Sequence, residues 1–242
     1  MQPIIVEGHR GYRAKYPENT LASYRAAMEL GVDAIEFDIW LTKDGVPVIL
    51  HDGSTERITG VKAHVNDLTL EEVKQLDAGS YKGAEFAGEQ IPTLQETLAL
   101  MRSTRPNDLR LGVEIKDFRE ETVDKTIALL KEYGYFDTCW FYAFNARIIK
   151  YIKTVYGGRT MGYPDFQMGE FEADSYSYYD ELGLNMKLVR SELFPFYAQK
   201  GFPLHCYCAD TEEDVRLCIE KGASLITAND PVPLLRVLGR LS

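Results

Sequence analysis

Two histidines each close an apolar run: His9 follows Ile4-Ile5-Val6-Glu7-Gly8, and His51 follows Val46-Pro47-Val48-Ile49-Leu50. Imidazole gains and loses a proton near neutral pH, so a pair of them can move protons onto and off a substrate. Between them lies Ala34-Ile35-Glu36-Phe37-Asp38-Ile39-Trp40, where two acids interrupt hydrophobic residues. Strand alternation puts Glu36 and Asp38 on one face, roughly 7 Å apart. Carboxylates that close inside a buried strand repel each other, and a bound cation is the usual remedy. Acids for a metal and imidazoles for protons together suggest hydrolysis. An anionic substrate would further need local positive charge, for which Arg10 and Lys116 are the candidates.

These residues must be held by a frame, and the frame is legible as alternation. Glu18-Asn19-Thr20 precedes Leu21, Tyr24, Ala27, Met28 and Leu30, an apolar series at helical spacing that stops before Gly31. The polar pair Glu18-Asn19 reads as a helix cap with a positioning role. Strands are expected over 4–9, 34–40, 111–116, 139–144, 159–163, 184–189, 203–208 and 224–228, with helices over roughly 120–133, 145–156, 191–200 and 211–221. Eight strands alternating with helices favour a closed parallel (β/α)8 TIM barrel, an α/β fold that a chain of 242 residues can fill as one domain spanning 1–242. In that fold the loops leaving the C-terminal strand ends build the pocket, and His9, Asp38, Glu114 and Lys116 all fall at or near such ends.

Residues 43–94 break the repeat. Lys43-Asp44-Gly45 reads as a tight turn returning 46–51 antiparallel beside the second strand, so the segment is an excursion from one barrel loop. Within it, Asp67 to Glu72 reads as a capped helix start and Gly79 to Gly88 as a mobile loop. The stretch 164–182, rich in Tyr and acids, reads as a polar loop outside the core, with a lid over the site as its proposed role.

A net charge of −10 argues against a nucleic-acid-coating surface and against a polybasic membrane contact. No apolar run approaches the roughly 18 residues a membrane span needs. The N-terminus carries no export signal, and Cys139, Cys206, Cys208 and Cys218 lack zinc-site spacing and disulfide density, which points to reduced thiols in the cytoplasm. Self-association into a homo-oligomer stays open.

The ordered pieces His9-Arg10-Gly11, Pro17-Glu18-Asn19-Thr20, Glu36-Phe37-Asp38, Thr42-Lys43-Asp44-Gly45, His51-Asp52, Arg57-Ile58-Thr59-Gly60, Ile91-Pro92-Thr93-Leu94 and Glu114-Ile115-Lys116 make the chain resemble the glycerophosphodiester phosphodiesterases, in particular the bacterial cytoplasmic type. The second half resembles them more loosely, through Ala143-Phe144-Asn145, Gly162-Tyr163, Cys206-Tyr207, Gly222-Ala223 and Thr227 to Pro231. The resemblance implies a TIM barrel and a divalent cation on Glu36, Asp38 and Glu114. It also implies His9 and His51 as the acid/base pair, with Arg10 and Lys116 on the substrate phosphate. All-carboxylate ligation suits Mg²⁺, Ca²⁺ or Mn²⁺. The implied substrate is a small glycerophosphodiester, cleaved to glycerol 3-phosphate and an alcohol through a cyclic phosphate.

Two departures stand out. A tryptophan usual in the family appears as Tyr207, a candidate pocket wall, and the usual Thr-Asp before a late proline appears as Thr227-Ala228-Asn229-Asp230-Pro231. Both are expected on the glycerol and alcohol side of the pocket. Rival readings are an enzyme acting on intact lysophospholipid or inositol lipid, a non-catalytic phosphate-binding barrel, and a sugar isomerase or aldolase on the same fold. The acids could also pair with Arg10 and Lys116 in a buried ion network, and Lys116 could neutralise them without touching substrate.

Overall fold

The computed structural model describes residues 3–105 and 108–241. The apolar runs form β1 (Ile5–His9), β2 (Ala34–Leu41), β3 (Pro47–Ile49), β4 (Arg110–Ile115), β5 (Cys139–Tyr142), β6 (Thr160–Gly162), β7 (Glu181–Asn185), β8 (Leu204–Tyr207) and β9 (Ala223–Ala228). Eight of them, all but β3, pair in parallel, and the contact of β1 with β2 closes the ring. β3 lies outside it, antiparallel to β2, with Ile39 opposite Ile49. The expected barrel and the expected antiparallel return of 46–51 are both present.

Helix α1 (Leu21–Leu30) starts where the Thr20 hydroxyl accepts the Ser23 N–H and stops at Gly31, whose φ of 81° is left-handed. Its Tyr24 and Ala27 are fully buried against the ring. Glu18 and Asn19 therefore do not cap this helix; Thr20 does.

Several boundaries differ from the sequence reading. The run 184–189 is strand only to Asn185, whose side chain accepts the Leu188 N–H and opens a helix over Met186–Val189. Apolar residues on a short buried helix and on a buried strand look alike in sequence. The helix expected over 191–200 shrinks to Phe194–Ala198, started by Pro195, and the one over 145–156 is α-helical to Tyr151 and then a π-turn over Ile152–Tyr156. Helices over Leu94–Thr104 and Pro231–Val237 were absent from the reading. The first carries a visible signal, a capping box between Thr93 and Glu96.

The loop read as mobile is tied down: the Asp77 carboxylate accepts from the backbone N–H groups of Gly79, Ser80 and Gly88, and the Tyr81 hydroxyl accepts from the Glu18 N–H. The stretch 164–182 is not a purely polar loop. Met168 and Tyr179 are buried, and its last residues are the start of β7.

Candidate active site

Alternation along β1 turns Glu7 and His9 to the barrel interior; on β2 it turns Glu36 and Asp38 there, and on β4 Glu114, followed by Lys116. His9, Arg10, Glu36, His51, Glu114, Lys116 and Tyr207 line one cavity of about 190 Å³. Asp38, with no exposed surface, lies behind its wall. All eight residues expected at the site therefore come together.

Glu36, Asp38 and Glu114 each offer an oxygen within 4.8 Å of the others, the one such cluster among the described residues. Each carboxylate is buried; Glu36 Oε1 has no hydrogen-bond partner, and Asp38 Oδ1 has only the Lys116 ammonium, at 3.2 Å. Burial pushes the Glu36 carboxyl well above the carboxylate range, and the charges of Asp38 and Glu114 push it further. Burial likewise raises Glu114, although Lys116 opposes it. Burial would raise Asp38 too, but Lys116, then Arg10, pull it below its ordinary value. Crowded, desolvated oxygens with unfilled lone pairs are what a hard divalent cation satisfies, so these residues fit such an ion.

Positive charge stands beside the acids. Arg10 Nη1 is 2.9 Å from Glu18 Oε1 and its Nε is 3.2 Å from Asp38 Oδ2. Lys116 Nζ is 2.6 Å from Glu114 Oε1 and 3.2 Å from Asp38 Oδ1. The ion network weighed from sequence is thus present.

The two imidazoles are oriented differently. His51 Nδ1 is 2.6 Å from Asp52 Oδ1, and Asp52 is in turn held by Arg57 Nε at 2.5 Å. His9 Nδ1 is 2.6 Å from Asn229 Oδ1, while its Nε2 lies 3.8 Å from Glu36 Oε2. Burial, then the neighbouring Arg10 charge, lowers His9 to about 3, against the Asn229 hydrogen bond that favours the cation. Burial lowers His51 as well, with Asp38 opposing.

Support comes from residues the sequence undervalued. Glu18 accepts hydrogen bonds from Arg10 and from both terminal nitrogens of Arg57, with Arg13 at 3.5 Å, so one carboxylate gathers three guanidiniums. Asn19 Nδ2 donates to Asp38 Oδ2 at 2.8 Å. Asp52 orients the His51 ring. Arg10 and Asn19 both adopt left-handed φ, 54° and 58°, a cost of order 1–3 kcal/mol each that their side-chain and backbone bonds hold in place. Asn229, expected on the glycerol and alcohol side of the pocket, meets His9.

Opposite the acids stands an aromatic wall. Phe144 and Tyr163 stack at 3.8 Å with a 3° interplanar angle, and Tyr207 meets Tyr163 edge-on at 5.5 Å. The Tyr207 hydroxyl reaches Gln167 Oε1 at 3.4 Å and the Gly169 N–H donates to the Phe144 carbonyl at 2.8 Å, so the 164–182 stretch touches the pocket lining. Beneath lies a polar floor absent from the sequence reading: Glu7, Tyr142, His205 and Thr227. Glu7 accepts from the Tyr142 hydroxyl at 3.0 Å and the Thr227 hydroxyl at 2.7 Å. A Cβ on Gly112 would sit 2.5 Å from Glu7 Oε1, which is why β4 carries glycine there. The signal available in sequence was Glu7, one alternation before His9.

The model of the glycerophosphoryl diester phosphodiesterase family matches residues 9–232. The chain belongs to that family. A glycerophosphodiester phosphodiesterase of Caldanaerobacter subterraneus subsp. tengcongensis is 33% identical, covering 97% of each chain. An Oleispira antarctica phosphodiesterase, solved in complex with the product sn-glycerol-3-phosphate, superposes with a TM-score of 0.86 at 25% identity over 97% of this chain and 96% of that one. The glycerophosphodiester phosphodiesterase of Agrobacterium tumefaciens shares the fold, with a TM-score of 0.81 over 97% of this chain and 100% of its own at 21% identity. The chain is accordingly an enzyme of the phosphoric diester hydrolase class acting on glycerophosphodiesters. No helix among the described residues is long and apolar enough to cross a membrane.

Proposed function

We propose that the enzyme hydrolyses glycerophosphodiesters to glycerol 3-phosphate and an alcohol by histidine acid/base catalysis, with a divalent cation on Glu36, Asp38 and Glu114. The observation that carries this reading is the buried trio of carboxylates with unfilled oxygens, facing two oriented imidazoles across one cavity. When bound, Mg²⁺, Ca²⁺ or Mn²⁺ would supply Lewis-acid charge neutralisation at the phosphoryl oxygens. Arg10 and Lys116 add fixed positive charge for the diester anion.

His9 acts as the base. Its Nε2 removes the proton from the neighbouring hydroxyl of the substrate glycerol as that oxygen attacks phosphorus. The environment favours this role, because burial and the Arg10 charge hold the ring neutral. His51 acts as the acid, since the Asp52 carboxylate on Nδ1 stabilises its protonated form. Its Nε2 gives a proton to the departing alcohol oxygen as the phosphorus–oxygen bond breaks. The cyclic phosphate then meets water: neutral His51 takes the water proton, and protonated His9 returns one to the glycerol oxygen. Intramolecular attack removes an entropic penalty that external water would face.

The wall of Phe144, Tyr163 and Tyr207 bounds the pocket by shape, with Tyr207 at the position where the resemblance implies tryptophan. We take the chain as one functional unit with 43–94 as an excursion that delivers His51, and its four unpaired thiols fit the cytoplasm. The deciding assay is release of glycerol 3-phosphate from glycerophosphocholine compared with lysophosphatidylcholine micelles. Turnover of the first alone is expected; turnover of the micelles alone would replace this reading with a lysophospholipase D activity.

A further inference from the structure

We propose that Asp210 and Asn229 are positioning residues that hold the His9 ring in its Nδ1–H tautomer, leaving Nε2 as the unprotonated atom that meets substrate. The inference rests on the acid/base role proposed for His9 and adds the device that makes that role possible.

A neutral imidazole carries its proton on one nitrogen only, and which one is set by the partner of the other. His9 Nδ1 has three polar neighbours: Asn229 Oδ1 at 2.6 Å, Cys208 Sγ at 3.3 Å and Arg13 Nη1 at 3.5 Å. The nearest is an amide, whose oxygen and nitrogen ends can exchange by a half-turn, so its identity needs an independent argument. Asp210 supplies it. Asp210 Oδ2 lies 2.6 Å from the other end of the Asn229 amide, and Asp210 Oδ1 accepts the backbone N–H groups of Asn229 at 2.6 Å and Asp230 at 3.1 Å. A carboxylate already accepting two backbone bonds requires a donor at its remaining oxygen. The amide nitrogen must therefore face Asp210, and the amide oxygen must face His9. Nδ1 then has to be the donor.

Arg13 Nη1, which can only donate, is the one neighbour that opposes a proton on Nδ1, and at 3.5 Å it is outweighed by the amide oxygen at 2.6 Å; the surroundings of Nε2 agree with this orientation. His9 Nε2 lies 3.8 Å from Glu36 Oε2, beyond hydrogen-bond reach, so no acceptor competes for a proton there. Asn229 itself cannot drift: its carbonyl accepts the Ala14 N–H at 3.0 Å, and the next residue, Asp230, caps the helix Pro231–Val237. The clamp joins the loops leaving β8 and β9, so the ends of two strands fix a ring carried by a third.

The test is a nitrogen–hydrogen correlation spectrum of the histidine rings in magnesium-loaded wild-type protein, with His9 assigned by its loss in His9→Gln. The expected pattern is a protonated, pyrrole-type Nδ1 and an unprotonated, pyridine-type Nε2; the opposite pattern overturns the proposal whatever the activity. In Asn229→Ala, kcat should fall about 10- to 100-fold with KM changed less than threefold, and the His9 signals should move toward a mixture of tautomers. An unchanged kcat, or a loss confined to KM, overturns it. Asp210→Asn, which frees the amide to turn, gives the same readout should the alanine variant not fold. Full activity of His9→Gln would overturn the acid/base reading while leaving the tautomer measurement to stand by itself.

Discussion

The two sides of the pocket are made of different chemistry. β1, β2, β4 and the excursion after β2 contribute His9, Arg10, Glu36, Asp38, His51, Glu114 and Lys116, while the strands from β5 onward contribute Phe144, Met161, Tyr163 and Tyr207. On the first side charged groups are held by polar and charged partners: Glu18 by three guanidiniums, Asp38 by Asn19, Asp52 by Arg57. On the second side rings touch rings, with Lys116 Nζ 5.8 Å from the Phe144 ring centre, and polar links to the first side run through the floor and rim, from Tyr142 and Thr227 to Glu7 and from Asn229 to His9. The contrast teaches that charge handling and shape recognition are separable here. One side acts on the phosphodiester, which all substrates share; the other bounds the space left for the rest of the molecule.

The largest break in this contrast should come from the imidazoles. His9→Ala and His51→Ala should each lower kcat on an alkyl glycerophosphodiester by about 10²–10⁴-fold. His51→Ala should regain near-full rate on a nitrophenyl leaving group, which needs no proton, and His9→Ala should not; the reverse pattern would exchange their roles. Next comes the support of the charged side. Glu18→Gln leaves Arg10, Arg13 and Arg57 without their shared carboxylate, and kcat/KM should fall about tenfold, as loss of an orienting partner does; steady-state kinetics on glycerophosphocholine measure it.

The aromatic side should respond more mildly and through a different constant. Phe144→Ala and Tyr207→Ala remove wall but no charge, so KM should rise a few-fold to about tenfold, the effect of about 1 kcal/mol of lost contact, with kcat kept. A collapse of kcat in either variant would erase the division between the two sides. The smallest effect is in stability. Burial alone would raise Glu18, but its hydrogen bond to Arg57 and the charges of Arg10, Arg13 and Arg57 bring it to about 2. Its folded pKa is thus below the ordinary carboxylate value near 4.3, so its contribution is complete above that pH and is lost as pH falls toward 2. Urea midpoints should fall more steeply in wild type than in Glu18→Gln between about pH 4.5 and 2.5; parallel curves would mean that the ion cluster does not stabilise the fold.

The same division governs what the sequence revealed. The barrel follows from alternation of apolar runs, and the charged side from residue types at strand ends, because a carboxylate or imidazole inside an apolar run is rare and therefore visible. Tyr163 is indistinguishable in sequence from a core residue and only its ring-to-ring geometry assigns it to the wall, whereas Tyr207 was a candidate wall through the family resemblance alone. Asn19, Asp52 and Arg57 were hidden for another reason: their roles lie in contacts across the fold, and polar residues before a helix or in a loop have ordinary local uses. The strand expected over 184–189 failed at Asn185 because a buried helix of four residues carries no period long enough to be read. The contact of Asn229 with the ring of His9 was not legible, because the distance from β9 to β1 is a property of ring closure and not of sequence order.

One titration bears on all of this: calorimetric addition of Mg²⁺ or Ca²⁺ to chelator-treated protein, followed by assay. A single site per chain is expected, with activity lost in chelator, restored by either ion, and both binding and activity abolished in Glu36→Gln. Undiminished activity in chelator, or unaltered binding in Glu36→Gln, would mean that Glu36, Asp38 and Glu114 do not hold a catalytic cation.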